Sequence, residues 1–108
     1  MANTFKNAHL TQIGTGYSTV YAAPAATTTV VLAVSLCNIT TGTISVDVQF
    51  RDSGSSARKI LTGVDIPAGS TLEILSGQKY ILEATDDIQI KSDTASSLDV
   101  VMGVMEIT

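Results

Sequence analysis

His9 and Cys37, one of each in the chain, are the obvious candidates for nucleophilic or soft-metal chemistry. A nucleophile needs a base within hydrogen-bond reach, and zinc needs several Cys or His ligands at close spacing. His9 sits near the chain start and Cys37 lies inside the apolar run 30–39, so the sequence gives neither a partner. The expectation is a surface or interface histidine and a small buried thiol. Asp86-Asp87 invites a calcium reading, but no Asp-x-Asp-x-Asp ladder or distant bidentate Glu surrounds the pair. One of the two is expected to start a turn ahead of the strand at Ile88.

Glycoside hydrolysis would need two carboxylates facing one another across a cleft. Asp65, Glu73, Glu83, Asp87 and Glu106 are scattered over separate polar positions, and no pair is singled out. Gly14-Thr15-Gly16 echoes a phosphate-binding loop without the helix and lysine that give such a loop its function. Trp is absent, and Phe5, Tyr17, Tyr21, Phe50 and Tyr80 are the only aromatic residues, too few for a carbohydrate-stacking platform. The expectation is a chain that is not an enzyme, with no cofactor and no metal.

The elements that would carry these side chains are strands. In 108 residues, Val, Ile and Thr together make 35, and their β-branched side chains favour extended backbone. No stretch shows helical apolar spacing, whereas Thr43 to Arg51 alternates cleanly, with Ile44, Val46, Val48 and Phe50 apolar and Ser45, Asp47, Gln49 and Arg51 polar. The same test predicts strands over 19–22, 27–39, 58–66, 71–75, 79–84, 86–92 and 98–107, with turns such as Pro67-Ala68-Gly69-Ser70 between them. About eight strands at this spacing predict an all-β antiparallel sandwich or jelly roll over residues 17–108. Residues 1–16 read as an N-terminal arm, either a first strand or an extension lying on another subunit. The predicted core is Val30, Leu32, Val34, Leu36, Ile44, Val46, Val48, Phe50, Ile88, Ile90, Leu98 and Val100.

Charge narrows the partners. Six basic and ten acidic residues give a net charge of −4. A nucleic-acid surface needs concentrated positive charge, which the Arg58-Lys59 pair alone does not make. No apolar run is long enough for a membrane helix. The start, Met1-Ala2-Asn3-Thr4-Phe5-Lys6, lacks the apolar stretch of a secretory signal, so assembly in a cytoplasm is expected.

One combination of segments runs through the whole chain. It comprises Met1-Ala2-Asn3-Thr4-Phe5-Lys6-Asn7-Ala8, Thr19-Val20-Tyr21-Ala22-Ala23-Pro24-Ala25, Cys37-Asn38-Ile39-Thr40-Thr41-Gly42, Ile66-Pro67-Ala68-Gly69-Ser70, Leu82-Glu83-Ala84-Thr85-Asp86-Asp87-Ile88 and Val104-Met105-Glu106-Ile107-Thr108. In this combination the chain resembles short virion structural proteins of tailed phages, especially those of cyanobacteria and related marine bacteria. The resemblance implies a non-enzymatic β-sandwich component of a phage particle: a capsid decoration or cement subunit, or a neck or tail accessory. Its partners would then be capsid, neck or tail proteins. An alternative is a host-surface recognition module of a tail or head fibre, in which the polar loops 52–56 and 93–97 touch a glycan.

The last strand carries the strongest hint of a contact. Leu98, Val100, Met102 and Val104 share one parity, yet Val101, Met105 and Ile107 are apolar on the other. A bulge near Gly103 could bring both sets into one core. Otherwise Val101, Met105 and Ile107, joined by Phe5 of the arm, form a subunit interface in a trimer or larger ring, with the arm docking on a neighbour.

Overall fold

The computed structural model describes residues 3–53, 56–75 and 78–108. It is all-β: β1 (Asn3–Ile13), β2 (Ser18–Ala22), β3 (Thr28–Asn38), β4 (Ile44–Asp52), β5 (Ser56–Ile66), β6 (Thr71–Glu73), β7 (Tyr80–Leu82), β8 (Asp87–Ser92) and β9 (Leu98–Ile107). One sheet runs β1-β9-β3 and is completed by β6 and β7, which share the far edge of β3; the other runs β2-β8-β4-β5. The antiparallel pairs are nested: β1 with β9, β2 with β8, β3 with β6 and β7, β4 with β5. This is the rolled-up arrangement of a jelly roll. Nine strands appear where about eight were expected because residues 3–13 form a strand of their own. They pair with β9 of the same chain, so their main contact here is internal.

Alternation sets the core. Ile44, Val46 and Val48 of β4 and Ile88 and Ile90 of β8 are buried, Val48 directly opposing Ile90, as are Leu98, Val100, Met102 and Val104 of β9. Three core expectations are corrected. Val30 and Leu32 are only half-buried, while Val31, Val34 and Leu36 are fully enclosed. Leu32 is an extra residue: Val31 opposes Val104 and Ala33 opposes Gly103, so β3 changes parity there. The irregularity expected at Gly103 thus falls on the opposing strand, and β9 itself alternates without interruption. Phe50, the third, lies at the rim of the core beside Arg58, Ile60 and Tyr80 and is half-buried.

Candidate assembly surface

The scattered carboxylates have a structural occupation. Where β5 bulges at Gly63, which has a φ of 62°, the Gly63 amide donates to Asp47 at 2.8 Å. Where β1 bulges beyond Leu10, with Gln12 at a φ of 55°, the Gln12 amide and the Thr11 hydroxyl donate to Asp99 at 3.1 and 2.6 Å. Glu73 takes the Val34 amide at 3.0 Å in the gap between β6 and β7. Asp86 accepts the Ser53 and Glu83 amides at 2.9 and 3.0 Å, and Asp87 forms a forked ion pair with Arg51 at 2.6 and 3.0 Å. Apart from Asp87, whose partner is a guanidinium, each of these carboxylates accepts backbone donors at a bulge, a strand gap or a turn, which is what an amide left out of a ladder requires. Asp86 organises the turn before β8, as expected for one of the pair.

Glu106 departs from expectation more sharply. Instead of lying on a polar face, it continues the inward parity of β9 and is buried. Its carboxylate receives the Tyr21 hydroxyl at 2.5 Å and Lys6 Nζ at 2.9 Å, and Tyr21 Oη also lies 2.9 Å from Thr29 Oγ1. The Tyr21 bond, then the Lys6 contact, hold the Glu106 carboxyl below the usual carboxylate range. Burial, then the same carboxylate, push the Tyr21 phenol up to about 12. The cluster joins both sheets.

The remaining sequence candidates stay apart. His9 is exposed on β1 and Cys37 half-buried on β3, with β9 between them. Gly14-Thr15-Gly16 is the turn into β2, a strand and not a helix. The polar loops of the glycan reading do not form one site. Gly54 and Ser55 fall outside the described residues. The flanks of that loop follow Arg51, which opposes Asp87 at the start of β8, whereas loop 93–97 follows Ser92 at the other end of β8.

The outer faces of the two sheets differ in kind. Across β2-β8-β4-β5 runs the directly opposed row Thr19, Gln89, Gln49, Lys59. Its members hydrogen-bond in sequence at 3.0, 2.8 and 3.0 Å, and Tyr17 lies over the row with Lys59 and Lys91 near its ring. That face is self-satisfied in water. Across β1-β9-β3-β7 runs the equivalent row Phe5, Met105, Val30, Ile81. Phe5 is 71% exposed and Ile81 54% exposed, and Val101, two positions along β9 from Gly103, is 53% exposed. Between them a shallow hollow of about 260 Å³ opens over Gly103, edged by Phe5, Asn7 and the bulged Leu32. The four expected interface residues thus share one face: Phe5 opposes Met105, Asn3 opposes Ile107, and His9 opposes Val101. Val30 and Ile81 join that face unforeseen, because the Leu32 bulge reverses the parity on which Val30 was expected to be core.

No protein-family model matches the chain, and no curated protein matches it. Solved structures share its fold. A subunit of the Bacillus endospore appendages, described as disulfide-linked pili, superposes with a TM-score of 0.60 at 15% identity, over 98% of this chain and 88% of that one. The capsid structure of the Helicobacter pylori bacteriophage KHP30 contains a chain with a TM-score of 0.59 at 18% identity, covering 100% of this chain and 89% of the other. A chain of the T13 particle of the infectious bursal disease virus IBDV gives 0.50 at 9% identity, with 96% of this chain matched to 34% of that longer one. At such identities the likeness is one of fold alone.

Proposed function

We propose that this protein is a non-enzymatic building subunit of a bacteriophage particle, a capsid decoration or cement subunit or a neck or tail accessory, assembled in the host cytoplasm. The observation that carries the reading is the outward row Phe5, Met105, Val30, Ile81, exposed at its two ends and half-buried between them, set on a molecule whose opposite face is hydrogen-bonded to itself. Large apolar side chains aligned across four strands lose free energy to water until another surface covers them. The cover is a neighbouring particle subunit: a further copy in a trimer or larger ring, or the shell or tail protein beneath. The likeness of fold to a phage capsid chain supports the particle as the setting, and the pairing of carboxylates with framework amides supports a role without catalysis.

The test has two arms. Purified virions should contain the protein, and a reconstruction should place the β1-β9-β3-β7 face against a neighbour. Its absence from the virions overturns the proposal. Replacing Val101 with Asp and Met105 with Lys should leave the melting temperature unchanged and lower the mass in solution or abolish binding to particles stripped of the protein. A double variant that associates and binds as the wild type does would remove this face from consideration.

A further inference from the structure

The four free edges of the two sheets are unequal. β2 is five residues long and carries a bulge. β5 is bulged twice and carries Arg58, Lys59 and Asp65. β6 and β7 are three residues each, separated along β3. These are the usual devices that stop a sheet edge from adding further strands. β1 has few of them. From Asn3 to Leu10 it pairs with β9 without interruption, and it holds no Pro and no Gly. Its one charged side chain, Lys6, is tied to the buried Glu106 at 2.9 Å. The bulge that ends it is fastened outside this stretch by Asp99.

We infer that β1 is a pairing edge for a second copy of this chain, β1 running antiparallel to β1 about a two-fold axis through Asn7. The register follows from the side chains. A centre at Asn7 pairs residues 4–10 of both copies, placing Lys6 opposite Ala8 of the second copy, Thr4 opposite Leu10, and Phe5 opposite His9. A centre at Lys6 would oppose two lysines, which is destabilising. A centre at Ala8 would shorten the overlap and leave Phe5 opposite Thr11. At the Asn7 centre the outward residues of both copies lie on one face. The apolar row then continues from Ile81, Val30, Met105 and Phe5 to His9 and Val101 of the second copy. None of the other three edges matches β1 in length and smoothness, so the best partner for β1 is itself. The inference rests on the edge and not on the virion reading; it would stand if the particle were a pilus.

Asn7 is exposed, so changes there leave the protomer intact. In a Cys37→Ser background, Asn7→Cys places two thiols opposite each other across the axis. Opposed Cα atoms about 4.5–5.5 Å apart suit a disulfide. Mild oxidation should convert the protein to a covalent dimer on a denaturing gel, while His9→Cys, whose opposite residue is Phe5, should stay uncrosslinked. Asn7→Asp opposes two carboxylates and should weaken the dimer about tenfold, with partial recovery in high salt. In the wild type, the β1 amides should exchange hydrogen more slowly as concentration rises. A wild-type monomer at high concentration, concentration-independent exchange in β1, or equal crosslinking of the two cysteine variants would overturn the inference.

Discussion

Tyr21 of β2 and Glu106 of β9 belong to different sheets, and the 2.5 Å hydrogen bond between them crosses the sandwich. Replacing Tyr21 with Phe leaves the buried carboxylate to Lys6 alone and should cost about 1.5–3 kcal/mol, the range for hydrogen bonds to a charged group. The pH dependence has two signs. Glu106 is depressed in the fold, so its contribution is present above the ordinary carboxylate value and is lost as pH falls through its folded value. Tyr21 is raised, so its contribution is complete below the ordinary phenol value and is lost as pH rises through about 12. Urea midpoints followed from acid to alkaline pH should show both losses in the wild type, and Tyr21→Phe should lack the Tyr21 contribution to the alkaline one.

The Leu32 bulge predicts an inversion of the mutational ranking along β3. Leu36→Ala, at a fully buried position, should cost about 2–5 kcal/mol. Leu32→Ala, at the half-buried extra residue, should cost less than about 1.5 kcal/mol. Equal losses in chemical denaturation would mean that Leu32 points into the core.

Asn38 is fully buried, and all four of its bonds are made: its amide donates to Gly42 and Ile66 carbonyls at 2.8 Å each, and its oxygen accepts from the Thr40 amide and hydroxyl. It ties the turn leaving one sheet to the end of β5 in the other. Asn38→Ala strands these groups at once and should cost about 3 kcal/mol or more, read from the thermal midpoint.

Deleting residues 2–8 tests β1 as part of the fold. The deletion removes most of the pairing between β1 and β9, takes Lys6 from Glu106 and removes the residues opposite Met102 and Val104. It should lower the melting temperature and increase aggregation. A truncated protein as stable as the wild type would show that β1 contributes nothing to the isolated molecule.

Strand positions were legible because each half-buried strand writes its period into the sequence; Ile44 to Arg51 is the clearest case. The outward placement of Val101, Met105 and Ile107 was legible for the same reason, since their parity opposes that of the core residues beside them. What the sequence concealed were departures from period two. Leu32 looks like an ordinary apolar residue, and nothing local marks it as extra; its cause is the register against Gly103 across the sheet. Glu106 looks like a surface residue because its partners Tyr21 and Lys6 lie tens of positions away, and Asn38 looks like one because its bonds to Thr40 and Gly42 suit any turn and the bond that ties it inward, to Ile66, is distant in sequence. β1 was ambiguous because most of its side chains are exposed, leaving little apolar alternation to read.

The nested pairing has a consequence for synthesis. Asn3 opposes Ile107, so β1 finds its partner only after β9 has been translated, about a hundred residues later. β2 waits almost as long, for β8, and only the β4–β5 hairpin can close early. Such non-local closure is slow. Throughout that interval both sides of β1 lack a strand. On a crowded polysome, neighbouring nascent chains would compete with β9 for it, making the rate of elongation from β1 to β9 as much a determinant of yield as the stability of the finished protein.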